Sequence, residues 1–339
     1  MTAIDLDSEN ISVQDVHGKI DLVRDCLDNN RLDPLVNFTS RTFSLGERGL
    51  KLVPLPGTEV VFTTYFCGKP DPQRNTFVEG DAYDYIKPLY ESVRDLGLSC
   101  IIFHDGLSRQ FTDRYTTESI KFVRAQLGGL SLNDERYFLY YEYLLRFGQH
   151  FRQVILSDVS DVVFRDNPFS LLRRHPRHLF TGRSSIDLVK YSFINYKRIR
   201  KFEKDAGLSI PDNFYNMRIF NAGTIGGSKE VVTYLLRQMV SYLLSYSTDR
   251  NHNMTVFNLC VYRFWLEAPK LPALNMISLR YALLKVIVLL ENKTGRDLLP
   301  AKYYCDNETY ETEAVFAGYP FTSAFKQYET NSKAYLIHK

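Results

Sequence analysis

Short runs of large apolar residues alternate along the chain with longer stretches whose apolar positions recur every three to four residues. These are the signatures of buried strands and of amphipathic helices. Residues 59 to 66, EVVFTTYF, are β-branched and aromatic and predict a first core strand. Residues 83 to 96 predict a helix that Gly97 stops. LSCIIFHD, residues 98 to 105, predicts a second buried strand, and strand, helix, strand in this order implies a parallel sheet with right-handed crossovers. NDERYFLYYEYLLRFG predicts a helix capped by Asn133, with Tyr137, Phe138, Tyr141, Leu144 and Leu145 on its apolar face. Val154, Ile155 and Leu156 form a run too short for an ordinary helix, which predicts a strand buried on both faces. The apolar run 162 to 164 returns to the core at once, and Pro168 ends regular pairing.

The second half continues the alternation. HLFTGRSS, residues 178 to 185, predicts a strand with a polar exit. Residues 190 to 204 are basic and tyrosine-rich, carrying Tyr191, Tyr196, Lys197, Arg198, Arg200 and Lys201; they read either as a solvated helix face or as a lid over an anionic ligand. From Phe220, FNAGTIGGSKEVV places glycines at 223, 226 and 227 ahead of a helix starting near Ser228, where backbone could approach a ligand. The spacing matches neither a dinucleotide fingerprint nor a Walker motif, so dehydrogenase and P-loop readings lack support. Asn253 opens a further helix that turns Val256, Phe257, Cys260 and Phe264 inward. Residues 1 to 50 read as an N-terminal extension, partly helical at 15 to 27, and residues 51 to 339 as one catalytic domain.

Composition narrows the function class. A 339-residue chain with 45% hydrophobic content can bury one large core. Forty-two basic against 39 acidic residues leave a net charge of +3, which gives no footprint for nucleic-acid binding. The five cysteines, 26, 67, 100, 260 and 305, are odd in number and form no CxxC pair, as expected in a reducing compartment. The N-terminal residues lack a secretory pattern and no apolar stretch approaches the roughly 20 residues of a transmembrane span. The expected location is therefore cytoplasmic.

The chemistry is concentrated where the apolar run 154 to 156 breaks. In an open α/β sheet ligands bind beyond the carboxyl ends of strands, so Asp158 and Asp161 fall at the expected place. Two carboxylates there either cap a turn or supply hard oxygen donors to Mg2+ or Mn2+, which also takes phosphate oxygens. Thr63, Thr64 and Tyr65 end the first strand and could contact a nucleotide, with Arg74 reaching toward phosphate. His104 and Asp105 end the second strand and lie near the same rim. Arg136 could point to the nucleotide or pair with a site aspartate. Asn221, Ala222 and Gly223 could line a sugar pocket, with His252 and Asn253 facing an acceptor; Asn253 is also a simple helix cap.

Taken together, VVFTTYF, NDERYFLYYEYLL leading into VILSDVSDVVF, FNAGTIGG and NMTVFN resemble the GT-A-fold glycosyltransferases that use nucleotide-sugars, over roughly residues 58 to 265. The resemblance implies a mixed, mostly parallel Rossmann-like sheet flanked by helices. It also implies a UDP- or GDP-sugar donor, a glycan or other hydroxyl acceptor, and a Mn2+ or Mg2+ cofactor at an aspartate motif. The chain departs from the family at three places: Ser160 stands where the second aspartate of DxD is usual, Asn253 where a carboxylate is common, and Lys326 where relatives often carry a metal-binding histidine. Asp161 would then replace Ser160 as ligand, and Lys326 would stabilise the leaving diphosphate by charge. Two other classes fit the same residues: a non-catalytic sugar-binding relative, and a metal-dependent nucleotidyltransferase or phosphohydrolase.

Overall fold

The computed structural model describes residues 3–4, 43–44, 46, 48–72, 75–188, 193–206, 210, 214–215, 217–245, 251–265, 286–287, 290, 293–294, 309–311, 315–318, 321–323 and 334–338. The expected helix at 15 to 27, and Arg74, Tyr191 and Lys326, lie outside them.

The first half of the fold is β1 (Glu59–Tyr65), α1 (Tyr83–Asp95), β2 (Cys100–His104), α2 (Arg109–Tyr115), β3 (Ile120–Arg124), α3 (Leu132–Phe147) and β4 (Gln153–Ser157). β5 (Val162–Phe164), α4 (Phe169–Arg174), β6 (Leu179–Leu188), α5 (Phe193–Ala206), β7 (Arg218–Ser228), α6 (Lys229–Ser245) and α7 (Asn253–Trp265) follow. Four short strands complete the order: β8 (Thr309–Glu311), β9 (Val315–Gly318), β10 (Phe321–Ser323) and β11 (Leu336–His338). These eleven strands join one sheet, in the order β3-β2-β1-β4-β7-β6-β9-β10-β11-β5, with β8 on β9, and two further two-stranded ribbons pair Ala3–Ile4 with Phe43–Ser44 and Pro70–Asp71 with Thr76–Phe77.

β3, β2, β1 and β4 are mutually parallel, and the order turns back between β1 and β4. This is the Rossmann-like half of the sheet, with its topological switch point beside β4. Beyond it the sheet is mixed: β7 runs antiparallel to both β4 and β6. The fold class is thus mixed α/β with helices on the sheet faces, as the sequence pattern implied.

Period-2 alternation distributes β1 between two cores. Val60 and Phe62 face the cluster that contains α3, α6 and α7, whereas Val61 and Tyr65 face the cluster of α1 and α2. α3 is buried from Leu132 to Leu144 on all but one position, because the sheet covers one side and α6 the other. Two of its three buried acids are paired: Arg48 Nη2 lies 2.9 Å from Glu135 Oε2 and Arg48 Nη1 3.8 Å from Glu142 Oε2.

Three boundaries differ from the sequence reading. Ser131, not Asn133, occupies the cap position of α3, its carbonyl accepting from the amides of Asp134 and Glu135 at 3.0 and 2.9 Å. Asn133 falls in the first turn, where Asp134 and Glu135 complement the helix dipole. The strand expected at 178 to 185 runs from Leu179 to Leu188 because β7 pairs along it. The glycines 223, 226 and 227, read as an approach to a ligand ahead of the helix, lie inside β7, which runs to Ser228 beside β4. Gly97 does end α1, at φ +63°, with the amide of Leu98 donating back to the Val93 carbonyl at 3.0 Å.

Candidate metal centre

Asp158 is the first residue past β4, so the carboxyl end of a fully buried strand delivers it to the rim of the sheet. Val159, 4% exposed, plugs back into the core and fixes the short turn between β4 and β5. Asp161 immediately precedes β5. β5 pairs antiparallel with β11, setting His338 opposite Val162 and therefore beside Asp161.

The result is a three-residue cluster. His338 Nε2 lies 3.4 Å from Asp158 Oδ2 and 3.4 Å from Asp161 Oδ2. One ligand atom from each of Asp158, Asp161 and His338 falls within 4.8 Å of the others, so the group could hold a metal ion. Asp161 Oδ1 is buried and, among the described residues, has no hydrogen-bond partner. A buried carboxylate oxygen left unmatched is costly, and a cation would satisfy it. Two carboxylate oxygens and an imidazole suit Mn2+ and also accept Mg2+.

Neighbouring groups hold the cluster in shape. The side-chain amide of Asn221 is hydrogen-bonded to His338 Nδ1, and Asn221 Oδ1 accepts from the Gly223 amide at 2.6 Å. With the amide nitrogen donating to Nδ1, the ring proton sits on Nε2 and faces the two carboxylates; a cation bound there would displace it. Arg136 Nη1 donates to Asp158 Oδ1. Burial pushes the Asp158 carboxyl up, but Arg136 and His338 outweigh it and hold the group below the ordinary carboxylate range. Burial pulls His338 down, yet hydrogen bonds and charge from Asp158 and Asp161 raise it to about 10.

The structure brings Asp158, Asp161, Arg136, Asn221 and Gly223 together and adds His338, which sequence reasoning missed. The only local signal for His338 was an apolar run, 335 to 337, breaking at a histidine. Several other expected site residues point elsewhere. Thr63 is fully buried on the α1 face of β1 and so is not offered to a ligand; Thr64, on the opposite face, is half-buried. Tyr65 is occupied structurally, its hydroxyl donating to the Glu79 carbonyl at 2.5 Å and accepting from the Ala82 amide at 2.9 Å. Asp105 accepts from the amides of Cys67 and Gly68, at 2.9 and 2.8 Å, and shapes the turn after β1. His104 Nδ1 accepts from the Leu107 amide at 3.2 Å, and burial lowers its pKa to about 4, so it is a structural cap.

Ala222 and His252 are buried rather than pocket-lining. The Ala222 carbonyl accepts from Tyr137 Oη at 3.2 Å, and its amide donates to Met254 Sδ. The His252 ring lies edge-on to Phe202, and its amide donates to Asp134. Asn253 is the first residue of α7, with its Oδ1 accepting from the adjacent Met254 amide at 2.6 Å, and the His252 carbonyl before it accepts from the Val256 amide at 2.9 Å. Along the same carboxyl edge, a cleft of about 340 Å³ is lined by Gly68, Lys69, Asp105, Arg124, Ala125, Gln126 and Leu127.

Fold and site together define an α/β protein with a candidate divalent-cation centre at the carboxyl edge of a Rossmann-like sheet. No protein-family model and no curated protein matches the chain. Among solved structures, the chain is similar to the galactosyltransferase LgtC in complex with donor and acceptor sugar analogs, at a TM-score of 0.36 and 13% identity over 60% of this chain and 70% of that one. No helix among the described residues is long and apolar enough to cross a membrane.

Proposed function

We propose that the chain is a glycosyltransferase that moves a sugar from a UDP- or GDP-sugar to a hydroxyl of a glycan or glycoconjugate, using Mn2+ or Mg2+ held by Asp158, Asp161 and His338. The observation that carries this reading is the convergence of two carboxylates and an imidazole beside a buried guanidinium at the sheet's switch point. A bound divalent cation supplies stabilisation of the negative charge that develops on a departing diphosphate. Arg136 adds a fixed positive charge on the same side.

The nucleoside belongs in the cleft at the ends of β1, β2 and β3. Three strand spacings of about 4.8 Å separate β4 from β3, a span suited to a ligand with its base at one end and its diphosphate at Asp158. Arg124 and Asp105 border that cleft beside Lys69, whose Nζ donates to the Gly128 and Leu130 carbonyls and ties the loop before α3 to the turn after β1. Asn221 keeps the His338 ring turned toward the carboxylates, and Gly223 leaves room for both.

The test is product analysis with a panel of UDP- and GDP-sugars in the presence of Mn2+. Release of nucleoside diphosphate, lost in Asp158→Asn and His338→Ala, is the expected outcome. Release of pyrophosphate or inorganic phosphate would assign the site to nucleotidyl transfer or phosphohydrolysis, and sugar binding without nucleotide binding would assign it to a lectin-like role.

A further inference from the structure

Arg136 and the candidate cation share one carboxylate. The guanidinium takes Asp158 Oδ1, while Oδ2 faces His338 Nε2 together with Asp161 Oδ2. Arg136 is not a surface group able to swing away. It is 8% exposed, its Cζ lies 5.0 Å from the centroid of the Tyr137 ring, and Nη2 donates to Tyr137 Oη at 3.0 Å. Tyr137 is anchored in turn on the Ala222 carbonyl of β7.

The charges then decide the affinity. A divalent cation bound at His338 displaces the ring proton and balances the two carboxylates, so the guanidinium leaves one positive charge in excess. Like charges held a few ångströms apart at low dielectric repel strongly, and part of the basicity of Asp158 is already directed at Arg136. An anion that reaches both the cation and the guanidinium removes the excess. We infer that Arg136 makes the cation and a diphosphate bind interdependently, weakening the cation alone and tightening each in the presence of the other. This deepens the transferase reading and rests on its cation site, but it requires only a diphosphate and no sugar. Coupling between two ligands is reciprocal, so it can be read from either one.

The experiment titrates Mn2+ into the full chain, following free aquo-Mn2+ by electron paramagnetic resonance, with and without inorganic pyrophosphate. Wild type is compared with Arg136→Gln and Arg136→Lys at one pH. Chelation of Mn2+ by pyrophosphate in solution is common to all three and cancels in the comparison. Arg136→Gln is expected to bind Mn2+ alone about fivefold tighter or more, and to lose about fivefold or more of the pyrophosphate-dependent tightening. Arg136→Lys, which keeps the charge, retains the coupling. Folded Arg136→Gln that binds Mn2+ no tighter than wild type, or that keeps the full coupling, would overturn the inference. So would wild type whose Mn2+ binding in pyrophosphate exceeds nothing beyond the solution complex, an outcome independent of how either variant folds. Donor turnover is not read, so a change of reaction class revealed by product analysis would overturn the glycosyltransferase reading and leave this coupling standing.

Discussion

The carbonyl of Gly223 accepts from the amide of Asp158 at 2.7 Å, and the missing side chain of Gly223 is the space into which the Asp158 carboxylate fits. A Cβ at residue 223 would overlap Asp158 Oδ2 and stand 2.6 Å from His338 Cε1. The glycine is thus required by the side chains opposite, not by its own backbone conformation.

Gly223→Ala should therefore leave the fold intact and displace the cluster. Because β7 is regular extended backbone there, circular dichroism is expected to stay near wild type. Mn2+ affinity measured by calorimetry should fall about tenfold or more, the scale seen when a partner that orients metal ligands is lost. Unchanged affinity would show that the cluster tolerates a methyl group where the geometry allows none.

Asp134 gives the chain a pH dependence. Its carboxyl is buried at the start of α3, accepts from the His252 amide at 3.2 Å, and is raised from 3.8 to about 7 chiefly by burial, against hydrogen bonds that lower it. A carboxyl whose folded pKa is raised binds more protons folded than unfolded, so its contribution is fully present below about pH 4 and is lost as pH rises toward 7. At about 1.4 kcal/mol per unit the loss is at most about 4 kcal/mol. Asp134→Asn removes this term. The stability of wild type relative to the variant, from urea unfolding, should fall between pH 4.5 and 8; parallel curves would contradict the assignment.

Arg48 ties the segment before β1 to the buried acids of α3. Its side chain is 7% exposed and those of Glu135 and Glu142 are 1% and 0% exposed. Arg48→Met removes the cation and leaves the buried Glu135 carboxylate without an ion-pair partner, which should cost about 3–5 kcal/mol in denaturant unfolding. Glu142 retains Arg146 Nη1 at 3.3 Å, so the loss should sit toward the lower figure. A cost under about 1 kcal/mol would show the network to be solvated.

On the proposed transferase reading, Arg124 is the residue whose change should affect nucleotide and not metal. It is exposed, borders the cleft at the end of β3 and is not part of the cation cluster. Arg124→Gln is expected to weaken UDP or GDP binding by about 0.5–1 kcal/mol, the scale of a solvent-exposed charge contact, while Mn2+ affinity stays unchanged. Equal nucleotide affinity in the variant would remove the cleft from the donor site.

Much of this architecture could be read from the chain before any contact was known. Val60 to Phe62, Ile101 to Phe103 and Val154 to Leu156 are unbroken apolar runs because strands covered by helices on both faces have no solvent side to mark with polar residues. The aspartates at 158 and 161 stood out for the complementary reason: charge directly after such a run must lie at the strand's end. Local pattern carries that far, since burial and strand length act over a few neighbouring residues.

The sequence could not tell Thr63 from Thr64, because which of two adjacent strand residues faces the buried side depends on what packs above the sheet. It read three glycines ahead of a helix as a place for backbone to approach a ligand, where β4 and β6 make them part of a strand. Above all it could not find His338, whose role exists only because β11 pairs with β5 and because Gly223 leaves room beside it. By itself the sequence determined where strands end and which of them end in acids. Which distant residue completes the cluster was decided by strand pairing between segments far apart in the chain, a matter of tertiary packing that no local pattern of residues encodes.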